Sequence, residues 1–126
     1  MDKKSRTPKQ QLGTKGEQEA ESFLITKGYQ PVTCNYRSKR REIDLIMTRD
    51  HTLVICEVKS LYAQSLGAPE YRVNAQKRRN IIRATWAFLR DHPEFENYDV
   101  RFDIIMVNFA HYPARVRHYE GAFIEE

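Results

Sequence analysis

The chain has 126 residues, of which 40% are hydrophobic and 30% are charged, and its net charge at pH 7 is +4. This length predicts one domain with a single modest core. No apolar run approaches the roughly 20 residues that cross a bilayer, and the polar N-terminus lacks the apolar stretch of a signal peptide. We therefore expect a cytoplasmic protein without a membrane partner. Two isolated cysteines, Cys34 and Cys56, disfavour a disulfide and a zinc site.

The N-terminal region combines a basic stretch with a helix. Residues 1–12 are polar and basic without helical periodicity, and we predict a flexible basic arm. The helix is predicted to begin at Thr14, because Thr14 and Glu17 have the spacing of a capping box. Gly28 suits the left-handed residue that closes a helix. A Gly-x-x-Gly pattern at 13–16 also matches, weakly, a loop that binds phosphate before a helix.

A strand and a basic connection follow this helix. The strand is predicted between Tyr29 and Tyr36, with Val32 and Cys34 as the inward-facing candidates. A charge run of the kind that comes next is typical of a solvated loop. Because it leads directly into a segment with two acidic residues, contacts with a phosphate backbone are favoured here, and such contacts position a duplex without reading its sequence. The candidate nucleic-acid-binding residues of this connection are Arg37, Lys39, Arg40 and Arg41.

Residues 41–60 have the pattern of a β-hairpin. Two segments rich in β-branched and other apolar residues flank a polar cluster at 48–51, and we place the turn at Asp50 and His51. Residues two apart in a strand share a face, so side chains alternate between the two faces of the sheet. One face is expected to carry Glu42, Asp44, Ile46, Leu53, Ile55, Glu57 and Lys59, and the other Ile43, Leu45, Met47, Val54, Cys56 and Val58.

This hairpin register brings charged residues together. Asp44 falls opposite Glu57, and Glu42 falls opposite Lys59. Opposed residues have Cβ atoms about 4.5–5.5 Å apart, and like charges there are destabilising. Two facing carboxylates on apolar strands therefore indicate a divalent metal, because hard cations take carboxylate oxygens. The alternative is a solvated ion pair between Glu42 and Lys59, with the other two carboxylates paired to nearby arginines.

A second helix is predicted from Asn74 to Asp91, where Pro93 stops it. Lys77 lies in its first turn and is placed to face the acidic pair. Together with Arg78, Lys77 is also a candidate for contact with a phosphate backbone. The predicted buried stripe, which assigns the single tryptophan to the core, consists of Ile81, Ile82, Thr85, Trp86, Phe88 and Leu89.

The sequence pattern of the C-terminal third predicts two further strands. Asp99–Asn108 is the near-continuous apolar run expected of an interior strand. Within this strand, Asp103 either pairs with a nearby arginine or orients residues of the acidic site without belonging to it. Residues 115–119 predict a final edge strand. The order α-β-β-β-α-β indicates a single α/β domain with a mixed central sheet flanked by helices, in which the second helix is a right-handed crossover.

Short motifs along most of the chain resemble those of a known family. The matching segments are 13–17, 35–37, 42–46, 57–59 and 101–103. The matching single residues are Ala20, Gly28, Tyr29, Gly67, Pro69, Lys77 and Arg78. An acidic residue near the first helix, an aspartate on one strand and Glu-x-Lys on the next resemble the PD-(D/E)xK nuclease superfamily. More narrowly, the chain resembles the YraN family of small bacterial proteins, which are similar to archaeal Holliday-junction resolvases. Arg41 and Leu61 depart from this pattern, which usually has glycine and a basic residue there.

The resemblance implies a restriction-endonuclease-like core in a nuclease-like domain at 13–126. It also implies an endonuclease that uses Mg²⁺ or Mn²⁺ to hydrolyse phosphodiester bonds in DNA, with structured or branched DNA as its substrate and a homodimer as its assembly. The implied metal ligands are Asp44, Glu57 and Glu42, and the implied catalytic residues are Asp44, Glu57, Lys59 and Glu17.

Two questions stay open from the sequence. Glu17 is either a capping residue or a carboxylate that reaches the metal site. The alternative function is a nucleic-acid-binding domain on a nuclease fold with little or no catalytic activity. A third reading is a partner-binding scaffold, since fold alone does not decide function.

Overall fold

The structure is a computed structural model that describes residues 7–64 and 71–125. The predicted family matches at Gly67 and Pro69 lie outside the described residues. No helix in the described ranges has an apolar stretch long enough to cross a membrane. The elements in chain order are α1 (Pro8–Thr26), β1 (Gln30–Ser38), β2 (Arg41–Arg49), β3 (Thr52–Leu61), α2 (Ala75–Asp91), a 3₁₀ turn (Pro93–Phe95), β4 (Asp99–Asn108) and β5 (Arg115–Phe123).

Helix α1 begins earlier than its sequence pattern predicts. Thr7 caps it, because the Thr7 hydroxyl accepts from the Gln10 backbone N–H and the Gln10 side chain accepts from the Thr7 N–H. The predicted start at Thr14 is therefore wrong, and so is the phosphate loop at 13–16, which lies inside the helix. Residues 8–12 of the predicted arm are helical, and residues 1–6 lie outside the described part.

Two tight turns connect the first three strands. Asp50 and His51 both have positive φ, 48° and 64°, as a two-residue type I′ hairpin requires. The predicted turn position is confirmed. The β1–β2 turn consists of Lys39, with φ of 58°, and Arg40. The predicted basic connection is thus shorter than expected, because its other residues belong to β1 and β2.

The five strands form one sheet in the order β1-β2-β3-β4-β5. β3 and β4 are parallel and α2 connects them, while the other neighbouring pairs are antiparallel. The predicted α/β domain with a mixed sheet flanked by helices is confirmed, and β5 is the predicted edge strand. One core lies between the sheet and α1 and another lies between the sheet and α2.

The second helix follows its prediction closely except for its tryptophan. Asn74 caps α2 by accepting from the Lys77 backbone N–H. Ile81 and Phe88 are buried as predicted, but Trp86 is 48% exposed, so its assignment to the core is wrong. The buried residues of α2 are instead Ile81, Ala84, Thr85, Ala87 and Phe88. Among the cysteines, Cys56 is buried as expected and Cys34 is exposed.

The alternation of faces breaks at Asp44. Leu45 and Met47 belong to the core on the α1 side, whereas Ile46 and also Ile43 belong to the core on the α2 side. The predicted face of Ile43 is therefore wrong. Across the β1–β2 pair, the residue facing this break is Asn35, which has a positive φ of 52°. Both strands thus lose their regular pleat at the same point.

Candidate active site

The central feature of the site is a split between β2 and β3. Their pairing has the predicted register from Arg49 opposite Thr52 to Leu45 opposite Cys56, and in the described strands it ends there. Beyond that point, Asp44 Oδ2 accepts a hydrogen bond of 2.8 Å from the Val58 backbone N–H. The carboxylate therefore takes the place of a backbone carbonyl between the strands. The broken pleat described above is what turns Asp44 toward β3.

Glu57 lies on the other strand of the split and is held from the α2 side. Its side chain is 5% exposed and forms an ion pair with Lys77 in the first turn of α2. The Tyr71 hydroxyl donates to the same carboxylate oxygen, Oε2, at 3.0 Å. Burial and the Glu57 charge raise the pKa of Tyr71. Burial works against the charged form of Lys77, but its hydrogen bond to Glu57 raises its pKa overall.

The two carboxylates interact, and the interaction raises the pKa of Asp44. Burial raises the pKa of Asp44 to about 8, and the Glu57 charge adds to this increase. The Val58 N–H stabilises the charged form and opposes the shift, while the Glu17 charge raises the pKa further. The structure thus brings Asp44, Glu57 and Glu17 together. In the described part of the chain, the Lys77 ammonium group interacts with the Asp44 charge but is already paired with Glu57.

Glu17 reaches this cluster because α1 packs closely against β3. A Cβ atom added to Gly16 would lie 1.7 Å from Ser60 Oγ and 3.1 Å from Ser60 Cβ. A larger residue at this position would force the Ser60 side chain to shift. The function of Gly16 is therefore close packing of α1 on the strand that carries Glu57, with the neighbouring Glu17 brought toward Asp44 as a consequence.

Lys59 lies two residues after Glu57 on the exposed continuation of β3. The faces of β3 follow the predicted alternation, with Leu53 and Ile55 in the core on the α2 side, so Lys59 shares the face of Glu57. Its Nζ atom is 5.4 Å from the centroid of the Tyr71 ring. Tyr71 thus contacts both charged residues. This role of Tyr71 leaves no local pattern, because a tyrosine in an irregular loop carries no periodicity.

The divalent cation that the resemblance implies needs oxygen ligands at this site. In the described ranges, no group of three or more His, Cys, Asp and Glu side chains is arranged as a metal site. Asp44 and Glu57 nevertheless offer two hard oxygen donors whose mutual repulsion a cation relieves. These two residues fit Mg²⁺ or Mn²⁺ in charge and ligand type, with further ligands coming from backbone, water or substrate.

Glu42 lies apart from this carboxylate pair. Its Oε2 atom is 3.3 Å from Arg37 Nη2, and both side chains are solvent-accessible. In the described strands Glu42 has no ladder partner on β3, because the pairing ends at Leu45, so the predicted pairing of Glu42 with Lys59 is not formed. Its role as a metal ligand stays a prediction.

The basic residues predicted to bind nucleic acid divide into two groups. Lys77 and Arg78 have partners within the protein, since Lys77 pairs with Glu57 and Arg78 donates to the Val73 carbonyl at 2.6 Å. The residues at the β1–β2 turn are more accessible. Arg40 is exposed in the turn, and two others line a cavity beside α2, namely Lys39 and Arg41. Their binding roles stay predictions.

A second acidic centre lies on β4 and is built differently. Asp103 is fully buried and accepts hydrogen bonds from Arg101 at 2.9 and 2.8 Å and from the Gly121 N–H at 3.0 Å. His118 Nε2 lies 2.6 Å from Asp103 Oδ2. The prediction that Asp103 holds an arginine is confirmed. His118 was missed, because its link to Asp103 forms across two strands and leaves no local pattern.

Comparison with known proteins places the chain in a family. Residues 16–107 match the family described as Uncharacterised protein family UPF0102. The UPF0102 protein of Chlorobium phaeobacteroides is 44% identical over 96 residues, which cover 76% of this chain and 75% of that protein. The UPF0102 protein of Alkaliphilus oremlandii is 35% identical over 113 residues, covering 89% and 97% of the two chains. The chain therefore belongs to the UPF0102 family, which is the YraN family that its motifs resemble.

Proposed function

We propose that this protein is a metal-dependent endonuclease that hydrolyses phosphodiester bonds in DNA. The observation that carries the proposal is the pair Asp44 and Glu57 at the split between β2 and β3. Burial and a neighbouring carboxylate raise the pKa of Asp44 to about 8. A structural carboxylate normally accepts several hydrogen bonds, whereas Asp44 accepts one from the Val58 backbone N–H and lies near two other acids. Strongly perturbed groups of this kind cluster at functional sites.

The residues of the site have distinct roles in this proposal. Mg²⁺ or Mn²⁺ held by Asp44 and Glu57 would supply Lewis-acid stabilisation of the charge that develops on the scissile phosphate. Lys77 and Tyr71 fix the orientation of Glu57 through its Oε2 atom. Lys59 places an ammonium group on the same face, where it stabilises negative charge in the transition state.

Glu17 acts on Asp44 through its charge. It raises the proton affinity of Asp44, and by the same electrostatics it raises the affinity of Asp44 for a cation. Protons and Mg²⁺ therefore compete for this carboxylate. Metal affinity is expected to rise between about pH 6 and pH 9 as the group ionises.

DNA is the proposed substrate on the grounds of charge and resemblance. The chain has a net charge of +4, and exposed cations occur at the β1–β2 turn. Phosphate contacts of this kind provide affinity without sequence readout. Structured or branched DNA, a homodimer and a cytoplasmic location are the extensions that the resemblance to resolvases supports.

The second candidate function is a nucleic-acid-binding domain without appreciable cleavage. One observation favours it: Glu57 is already neutralised by Lys77. A metal at this site has to share Glu57 with that ammonium group, which weakens its binding. In an inactive domain, Lys77 takes the place of the cation.

A cleavage assay with matched variants separates the two candidates. The purified chain is incubated with duplex, flap, four-way junction and single-stranded DNA in Mg²⁺, Mn²⁺ or EDTA. Cleavage is expected only with a divalent ion. Asp44→Asn and Lys59→Ala are each expected to reduce the rate by at least about 100-fold, while DNA affinity stays within about threefold. Asp99→Asn, an exposed acid on β4, is the control and is expected to cleave normally.

The outcomes distinguish the proposals. Metal-independent cleavage, or full activity in Asp44→Asn, contradicts the active-site assignment. DNA binding with a normal salt dependence but no cleavage on any substrate shape favours the binding domain. Absence of binding even at low salt contradicts both functions.

A further inference from the structure

We propose that a basic groove beside α2 binds single-stranded DNA, with Trp86 as a base-stacking platform. The inference rests on the proposed function and adds to it the substrate class, which is DNA with an unpaired segment next to the cleavage site. The groove has a volume of about 390 Å³ and lies between α2 and the β1–β2 turn. Its charged and aromatic lining residues are Lys39, Arg41, Arg83, Arg90 and Trp86.

The groove is strongly cationic. In the described part of the chain, Lys39, Arg41 and Arg83 form no ion pair, and none of the groove's lining residues is acidic. Arg90 Nε lies 3.5 Å from Asp91 Oδ1, but both side chains are mostly exposed, and such surface pairs are weak. Four cations around one groove therefore attract a polyanion without first breaking strong internal pairs.

Trp86 gives the groove an aromatic surface. A large apolar side chain that is 48% exposed on an otherwise well-packed helix is not required for the core, which α2 forms with smaller residues. The indole Nε1 donates to Glu125 Oε1 at 3.1 Å, which restricts the rotation of the ring. Grooves that bind single strands combine a cationic track with aromatic side chains on which bases stack.

An unpaired strand fits this groove better than a duplex. A base stacks on an indole only when it has left its own duplex stack. An acidic peptide satisfies the cations but leaves the ring without a stacking partner. The combination of charge and exposed indole therefore favours single-stranded DNA.

The position of the groove relative to the carboxylates sets the expected substrate. Trp86 lies nine residues after Lys77 in α2, or about 14 Å along the helix axis. Lys77 contacts Glu57, so the groove and the carboxylates lie at different positions along α2. A junction or flap with a short unpaired segment meets this spacing.

Trp86 itself provides the test, because it is the only tryptophan in the chain. Its fluorescence is measured in EDTA at low salt during titration with unlabelled oligothymidylate of 12 nucleotides, a 12-base-pair duplex, or a polyglutamate peptide. The expected result is quenching by the single strand at concentrations at least about tenfold lower than by the duplex, and no quenching by the peptide.

Matched variants locate the binding. Anisotropy of a labelled oligothymidylate is expected to show at least about fivefold weaker binding for Trp86→Ala and for Arg83→Ala. Arg83→Ala is also expected to lower the slope of log K against log salt by about 0.7, the value for one lost phosphate contact on a single strand. Arg117→Ala, which removes an exposed arginine from β5, is expected to bind like the parent protein.

Binding in EDTA does not depend on cleavage, so the two proposals fail separately. Quenching without cleavage on any substrate supports the groove and counts against the endonuclease. Cleavage with unchanged Trp86 fluorescence, equal quenching by the peptide or the duplex, or equal losses in Arg83→Ala and Arg117→Ala overturns the groove assignment and leaves the endonuclease intact.

Discussion

Asp44 and Asp103 lie in the same sheet but have opposite surroundings. Asp103 is fully buried and receives hydrogen bonds from Arg101 and Gly121, with His118 in contact. Burial alone would raise its pKa, but these partners hold the pKa below its usual range. Asp44 receives one backbone N–H and faces two other acids, and its pKa is about 8.

The difference separates a carboxylate whose charge is stabilised within the fold from one whose surroundings disfavour its charged form. Asp103 joins β4 to β5, because its donors come from both strands, and its charge is balanced within the fold. Among the described residues, Asp44 accepts one backbone N–H and has Glu57 and Glu17 as acidic neighbours, and these surroundings favour its protonated form. Burial of an acid therefore does not by itself indicate function, whereas burial of an acid without sufficient donors does.

The largest expected effect comes from removing the balanced carboxylate. Asp103→Ala removes the carboxylate that contacts the buried His118 ring and the Gly121 N–H, while Arg101 keeps its contacts with Glu120 and Tyr29. Breaking a buried pair from one side costs about 3–5 kcal/mol, so the free energy of unfolding is expected to fall by this amount. Urea denaturation at pH 7 measures it. Asp99→Ala on the same strand is the control, with an expected change within about 0.5 kcal/mol. A loss below about 1 kcal/mol in Asp103→Ala contradicts the structural role.

The second prediction concerns Asp44→Asn and the pH dependence of stability. Because the folded protein binds the Asp44 proton more tightly than the unfolded chain, the Asp44 contribution is fully present below about pH 4 and is lost as the pH rises toward about 8. The loss is at most about 1.4 kcal/mol per pH unit. Asn is neutral, and its oxygen still accepts from Val58. The variant is therefore expected to be as stable as the parent protein at pH 4 and more stable at pH 8.

Urea unfolding at pH 4, 6 and 8 measures this difference in the free energy of unfolding. Titratable groups outside the Asp44 cluster contribute equally to both proteins, so their contributions cancel. Mg²⁺ provides an internal check. It is expected to raise the stability of the parent protein at pH 8 by about 2.7 kcal/mol at 100 times its dissociation constant, and to have little effect on Asp44→Asn. Parallel pH profiles for the two proteins contradict the elevated pKa.

The fold could be predicted from the sequence where local signals agree with the final packing. The turn at Asp50 and His51 follows from its polar cluster between apolar segments. The register of β2 and β3 then follows from counting residues outward from this turn. Helix α2 follows from the helical spacing of its apolar residues, from Asn74 at its start and from Pro93 after its end. These features depend on neighbours in sequence, so one chain is enough to detect them.

The site could be predicted only in part, because its geometry depends on contacts between distant segments. The approach of Asp44 to Glu57 follows from the register, but the broken pleat at Asn35 and Asp44 does not follow from residue type. Tyr71 reaches Glu57 from a loop without periodicity. The exposure of Trp86 was missed because its position is compatible with a buried stripe, and smaller residues of α2 supply the packing instead.

The smallest expected effect concerns Glu42, the third carboxylate that the family resemblance implies as a metal ligand. Its side chain pairs with Arg37 at the surface, where an ion pair is worth about 0–1 kcal/mol. Glu42→Gln is therefore expected to change the free energy of unfolding by less than about 1 kcal/mol and the rate of Mg²⁺-dependent cleavage by less than about threefold. Glu57→Gln, the same change at the split, is expected to remove cleavage. A loss of activity in Glu42→Gln comparable to that in Glu57→Gln, with stability unchanged, requires Glu42 to leave Arg37 and join the metal site when substrate binds.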